Sequence, residues 1–481
     1  MELNLNDRER SRYIQVYEYY KELIQNGRLQ PGSKLPSIRK CSVQLQISRT
    51  TVEAAYLLLA AEGYVLSRPQ SGYYVTDFLT GGSLRGWDGT KKQEEKRVLY
   101  DFSSSGVDRE SFQFSLWRRY VKSALRQDER LLSYGEPQGE LELRETLCLY
   151  LERFRNVICM PEQIVVGAGV QSLLHILCPL IRERNRVYFY NPSFRQGRQI
   201  FEDHGFLTGD RRLAGDGLAG SICYLTPSQM TVWGEVMPVR ERMALLKEAG
   251  RENILLIEDD YNSEFRYYSR PTPSLQGLSG GNGVVYLGTF SRLLLPSIRM
   301  SYMVLPPSLL PAYRERGYFY NQTASKAEQI ALCQFIRDGH LEGQIRKTRK
   351  LYTVKARKLC EAIEKVFGSW ADACLGDAGF LVLVELHIDL PAAEAARRAL
   401  EAGVVVRPVE ERDAADPAHP NAGRYPRILL SCASMDAELY EEALCILRDA
   451  VFEEEGTGRE RNITACGKEN PAGLDQEFPS L

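Results

Sequence analysis

The chain has 481 residues, 44% of them hydrophobic and 26% charged, with a formal net charge of −2. That length is too great for one ordinary domain, and that composition excludes a fibrous or wholly disordered chain. No run approaches the roughly 20 apolar residues that span a bilayer, which excludes a membrane-spanning helix.

The amino terminus, MELNLNDRERSRYIQ, mixes acids with bases and has no apolar core, so it does not read as a signal peptide. Eleven cysteines are scattered without CxxC pairs, which fits reduced thiols and a cytoplasmic location. With only five histidines, a His-based metal site is not expected.

Residues 12–25 (RYIQVYEYYKELIQ) carry apolar side chains at helical spacing, which predicts a helix closed by Gly27. Pro31-Gly32 marks a turn, and Pro36-Ser37-Ile38-Arg39 opens a second, short helix. Ser48 is the expected N-cap of a third helix running to about Glu62, with Val52, Tyr56 and Leu59 on its buried side. Leu66-Ser67-Arg68 and Tyr73-Tyr74-Val75-Thr76 read as two strands around Gln70-Ser71-Gly72. Three helices and a hairpin make a winged helix-turn-helix, a DNA-binding module. Ser48, Arg49, Thr50 and Thr51 begin its recognition helix, where small hydroxyls and an arginine suit base edges and phosphates. Arg39 and Arg68 are expected on phosphates, from the preceding helix and the wing. Residues 1–76 hold ten Lys and Arg against seven Asp and Glu, a net +3, so the module is mildly basic. Taken alone, Ser-Arg-Thr-Thr also fits a solvated helix start.

The Gly- and charge-rich stretch 78–98 reads as a linker, and 453–481 as a disordered tail. Between them, residues 99–452 alternate β-branched runs (Ile164–Val166, Arg186–Tyr190, Ile254–Ile257, Val284–Leu287) with amphipathic segments. That alternation predicts an α/β domain with a mainly parallel sheet.

The first block, residues 1–77, contains PGSKLPSIRK and then ISRTTVEAAYLLLAAEGYVLSRPQSGYYV, and it resembles the GntR family of regulators throughout. The second contains YGEPQG at 134–139 with Leu143-Arg144, then IEDDYNSEFRY at 257–267, YLGTFS at 286–291 and PSIRMSY at 296–302. These runs resemble fold-type I aminotransferases, and the fusion of the two resembles the MocR-type subgroup of GntR regulators. The resemblance implies an N-terminal winged helix and a fold-type I domain with a mainly parallel central sheet. It also implies a homodimer that reads a double-stranded DNA operator and answers to a small-molecule effector.

The same resemblance implies a pyridoxal phosphate site. Asp259, after the strand ILLIE, resembles the acid that keeps the cofactor's pyridine nitrogen protonated. Tyr261 resembles the partner of its phenolic oxygen. Thr289, Ser291, Arg299 and the helix start after Gly169 resemble the phosphate donors. Phe194 resembles the ring over the cofactor face. Arg427 is the expected partner of a substrate carboxylate, with Arg407 as the second choice. Taken alone, Asp259 also fits a strand end, Phe194 a core position and Arg427 a surface ion pair.

The pattern breaks where the family has its catalytic lysine. Gly288-Thr289-Phe290-Ser291 is followed by Arg292, and guanidinium keeps its proton and is a poor nucleophile. No covalent cofactor link forms there, so binding is non-covalent at best. Trp233 stands where the family run TPSHQxPTG has a small residue, and Ala168 and Val170 lack hydroxyls expected near the phosphate. Lys326 and Lys347 are the nearby lysines in sequence. The favoured reading is a DNA-binding regulator whose second domain senses a ligand without catalysis. The alternatives are an active aminotransferase with an accessory DNA module, and a dimerisation scaffold without ligand.

Overall fold

The computed structural model describes residues 11–76, 98–103, 106–190, 194–211, 218–266, 272–409, 425–433 and 435–452. The tail expected over 453–481, and the expected linker apart from Val98, lie outside the described residues. The chain divides into two units, Met1–Glu95 and Lys96–Leu481. Among the described residues no helix is long and apolar enough to cross a membrane, and no group of three or more His, Cys, Asp or Glu suits a metal ion.

The first unit is built from α1 (Arg12–Gln25), α2 (Ile38–Leu45), α3 (Arg49–Ala61), β1 (Val65–Arg68) and β2 (Gly72–Val75). Ser37 and Ser48 cap α2 and α3, accepting from the backbone N–H of Lys40 and Thr51. Each supplies an oxygen to a helix start whose first N–H groups have no partner within the helix. Between α2 and α3 the chain turns at Gln46, whose φ of 50° is left-handed. Val16, Tyr20, Val52, Tyr56, Leu59 and Val75 form the core. Tyr56 satisfies its hydroxyl by donating to Pro36 O at 3.0 Å, so an aromatic core is built without a stranded polar group. The strands β1 and β2 pair antiparallel, completing three helices and a wing.

The second unit begins with β3 (Tyr100–Asp101), α4 (Phe114–Leu125), α5 (Asp128–Leu131) and α6 (Leu141–Arg155). It continues through β4 (Ile164–Gly167), α7 (Val170–Leu180), β5 (Arg186–Phe189), α8 (Arg195–Asp203), β6 (Leu207–Asp210) and β7 (Ile222–Leu225). Next come α9 (Val239–Arg251), β8 (Leu255–Asp259), α10 (Leu275–Leu278), β9 (Val284–Thr289) and β10 (Ser301–Val304). These seven strands from β4 to β10 form one sheet in the order β4-β10-β9-β8-β7-β5-β6. β10 alone runs against the direction of the other six, pairing antiparallel with both β4 and β9. Both faces are buried: Val165, Ile257 and Leu287 pack with α7 and α8, while Ile164, Val166 and Tyr286 pack with α6 on the other side. Strands covered on both sides read as continuous apolar runs, which is why ILLI and VVYL carry no alternation.

Downstream helices α11 (Leu310–Arg316), α12 (Lys326–Arg337) and α13 (His340–Phe367) lead to a smaller sheet. Its strands are β11 (Ala371–Cys374), β12 (Leu381–Leu386), β14 (Arg407–Pro408) and β15 (Arg427–Ser431), in the order β11-β12-β15-β14 and all antiparallel. A two-residue strand, β13 (Val404–Val405), pairs with β3. The parallel strands β7, β8 and β9 point their carboxyl ends at one edge, where α/β sheets bind ligands.

Candidate functional site

At the head of α3, Ser48 Oγ accepts from Thr51 N at 3.1 Å and lies 2.7 Å from the hydroxyls of both Thr50 and Thr51. Ser48, Arg49 and Thr50 are exposed and Thr51 is half-buried. Arg39, in the first turn of α2, is exposed too. Arg68, on the wing, lies 4.5 Å over the ring of Tyr74, whose hydroxyl is 2.7 Å from Ser71 Oγ. Stacking on Tyr74 fixes the direction of this long side chain, which lowers the entropy lost when it meets a phosphate.

A cavity of about 360 Å³ opens at the carboxyl edge of the central sheet. Gly169, Phe194, Asp259, Tyr261, Thr289, Ser291, Arg292, Arg299 and Arg407 all line it. The structure thus gathers into one pocket seven residues singled out as cofactor contacts from segments well separated along the chain.

Asp259 ends β8 and is 6% exposed. Its Oδ2 accepts from Tyr224 Oη at 2.6 Å, while its Oδ1 is buried with no hydrogen-bond partner. Burial, with the charge of Asp260 adding to it, pushes the Asp259 carboxyl up to about 7; the Tyr224 hydrogen bond acts the other way. A buried acceptor left open is costly unless a donor arrives. The three consecutive acids have separate tasks. Glu258 accepts from the backbone of Leu275 and Gln276 at the start of α10, at 2.9 Å each. Asp260 is held by Arg155 at 2.6 Å and by Ser228 and Tyr286 at 2.5 Å each. Only Asp259 of the three lines the cavity.

One end of the cavity is formed by the start of α7. Gly169 caps that helix at φ 100°, and a Cβ there would strike the guanidinium of Arg299. Arg299 itself sits at φ 51°, a conformation that costs a side-chain-bearing residue on the order of 1 kcal/mol. Thr289 Oγ1 lies 3.1 Å from Ser291 Oγ and 2.9 Å from Ser301 Oγ. Helix N–H groups, hydroxyls and a guanidinium converge, which is the donor set of a phosphate site. Phe194 stacks on Tyr224 with centroids 5.5 Å apart, and a Cβ at Gly197 would clash with the Phe194 ring.

Arg292 is half-buried, and its guanidinium lies 5.1 Å over the ring of Phe380. Burial lowers its pKa, as does the charge of Arg407. Among the described residues, no lysine lines the cavity. Lys326 donates to Ser133 Oγ at 3.1 Å, and Lys347 to Glu110 O at 2.6 Å.

Two further positions singled out in the sequence, Arg427 and Trp233, are not among the lining residues. Arg427 is 2% exposed, does not line the cavity, and donates from Nε to Glu385, its cross-strand partner, at 2.8 Å. A buried cation is held by the nearest buried acid, here on β12, and Arg407 on β14 faces the cavity in its place. Trp233 does not line the cavity either. It is buried among Val232, Leu383, Val409 and Leu429, so its bulk goes into a small apolar core. Residues that sequence reasoning missed are Tyr224, the hydroxyl donor to Asp259, and Gln229, another lining residue. Tyr224 sits in an apolar run with no local signal, because its partner is on the neighbouring strand.

Residues 12–75 match the model of bacterial regulatory proteins of the gntR family. The chain is 37% identical over 410 residues to the uncharacterized HTH-type transcriptional regulator YdeL of Bacillus subtilis (strain 168), covering 82% of this chain and 89% of that one. It is 28% identical over 471 residues to the probable rhizopine catabolism regulatory protein MocR of Rhizobium meliloti, covering 92% and 94%. Among solved structures it is similar in fold to a Pyrococcus horikoshii kynurenine aminotransferase, with a TM-score of 0.63, 20% identity, and coverage of 76% and 93%. This chain belongs to the MocR-type subgroup of GntR-family regulators: it is a transcriptional regulator with a DNA-binding winged helix and an aminotransferase-like unit.

Proposed function

We propose that the aminotransferase-like unit is a sensor that holds a pyridoxal-phosphate-type ligand without a covalent bond and without transamination. The observation that carries this reading is the open Oδ1 of Asp259, a buried acceptor without a partner on a residue that lines the cavity, which suits a pyridine N–H. The cradle of Gly169, Arg299, Thr289 and Ser291 fits the phosphate, Phe194 fits the ring face, and Tyr261 fits the phenolic oxygen. When bound, such a ligand brings a protonated pyridine ring that withdraws electrons. The kynurenine aminotransferase of similar fold was solved in complex with PMP. Arg292 supplies no nucleophilic amine, and no other described lining residue does so. In this reading occupancy favours one arrangement of the regulator over another and thereby changes its affinity for DNA.

Arg39, Ser48, Arg49, Thr50, Thr51 and Arg68 contact the DNA in this proposal, and two copies of the chain read two half-sites. The dimer reading is supported by Leu132 and Tyr134, which are 89% and 102% exposed at the start of the YGEPQG segment.

The test uses the full chain and its Arg292→Lys variant with pyridoxal phosphate. Both should gain thermal stability on adding the ligand, and borohydride should fix a pyridoxyl label only in the variant. DNA fragments selected from a random pool by the full chain should then change affinity when the ligand is added. Amino-group transfer by the unaltered chain above the no-protein rate would overturn the sensor reading in favour of an enzyme.

A further inference from the structure

Among the described residues the cavity carries three guanidinium groups, Arg292, Arg299 and Arg407, and one carboxylate, Asp259. Arg299 is accounted for: it lies against Gly169 at the head of α7, within the phosphate cradle. The other two are not. Among the described residues neither Arg292 nor Arg407 makes a hydrogen bond or an ion pair with a carboxylate; the contact Arg292 does make is the face of Phe380, at 5.1 Å. Stacking on a ring engages the face of a guanidinium and leaves its N–H edges for a ligand. The two groups lie within electrostatic reach of each other and of Tyr261: Arg407 lowers the pKa of Arg292, and both charges pull down that of Tyr261 against the larger effect of burial. Two like charges in one cavity repel, and an anion placed between them relieves the repulsion.

Resting on the reading that this cavity holds a phosphopyridoxyl group, we infer that Arg292 and Arg407 form a carboxylate clamp. The ligand is then a phosphopyridoxyl amino acid, with a phosphate at the Gly169–Arg299 end and a carboxylate at the Arg292–Arg407 end, taken up whole from solution. Replacement of lysine by Arg292 turns a bond-forming position into a recognition position. The planar fork of a guanidinium pairs with a carboxylate through two parallel hydrogen bonds, which the point charge of an ammonium does not reproduce.

The test is calorimetric titration of the full chain with three compounds: reduced N-(5'-phosphopyridoxyl)glycine, its counterpart made from methylamine, and pyridoxamine phosphate. The two conjugates differ only in the carboxylate. The glycine conjugate should bind about tenfold or more tightly than the methylamine conjugate, as charge-assisted hydrogen bonds imply. That ratio should fall towards one in Arg292→Gln and in Arg407→Gln. Because the ratio is taken within each protein, a general weakening of binding cancels. If pyridoxamine phosphate binds and both conjugates bind equally to the unaltered chain, the clamp is wrong and the sensor reading stands. If the ratio survives in both variants, the carboxylate is read by other residues and the assignment fails. If none of the three compounds binds, the sensor reading falls and the clamp with it.

Discussion

At the scale of single residues, Asp259 has the most to say about both ligand and stability. Its folded-state pKa is raised from 3.8 to about 7. A carboxyl raised in this way binds more protons folded than unfolded. Its penalty is absent below the unfolded value of about 4, grows as pH rises through the window to about 7, and is complete above it. Asp259→Asn should therefore gain stability over the unaltered chain at pH 8, by roughly 4 kcal/mol at most, and gain little at pH 4. Chemical denaturation at the two pH values, without ligand, measures this. A uniform gain at both would mean that packing, not charge, is responsible. The same variant should bind pyridoxamine phosphate about tenfold or more weakly, because the amide does not carry the charge that pairs with a protonated ring. Much of the cavity was legible through the family resemblance, since Asp259, Thr289, Ser291 and Arg299 sit in long runs that match its motifs. The burial of Arg427 against Glu385 was not. Which of two late arginines faces a cavity depends on cross-strand pairing, and the partner of Arg427, Glu385, lies 42 residues away.

At the scale of elements, α3 shows how far local chemistry reaches. Its start was readable because a capping serine is a local device: Ser48 needs only the N–H three residues on. Ser48→Ala should cost about 1 kcal/mol of stability in the winged-helix unit, and it should also weaken DNA binding, since the two threonine hydroxyls lose their common partner. Thermal melting and a binding titration on the full chain separate the two effects. Arg49→Gln should leave the melting temperature within a degree or two, weaken binding, and lower the slope of log affinity against log salt by about one if Arg49 meets a phosphate. An unchanged slope with lost sequence preference would put Arg49 on a base edge instead. Elements fixed by distant partners were less readable. The run RMSYMV gives no sign that β10 enters the central sheet antiparallel between β4 and β9, and the two-residue β14 is defined only by its pairing with β15. Direction and register in a sheet are tertiary properties, so apolar runs announce strands without ordering them.

At the scale of the whole molecule, the open question is whether the pocket and the winged helix are coupled, and thermodynamics constrains the answer tightly. If pyridoxamine phosphate changes the affinity for a selected DNA fragment by some factor, then that DNA must change the affinity for pyridoxamine phosphate by the same factor. Couplings between sites are typically about 5- to 150-fold, well within reach of titration. The prediction is that calorimetry of the ligand into the full chain, with and without saturating DNA, returns the factor found by titrating DNA with and without ligand. Both measurements belong at one salt concentration, because the DNA step releases counter-ions and the ligand step is itself ionic. A factor of one in both directions would separate the cavity from DNA recognition and leave the aminotransferase-like unit a scaffold. Unequal factors would mean that a third equilibrium is linked to both, and association of the chain with a second copy is the one to test first. In that case repeating the titrations across protein concentration should restore equality at the high end, where every chain is paired, and the coupling would then belong to the dimer and not to the single chain.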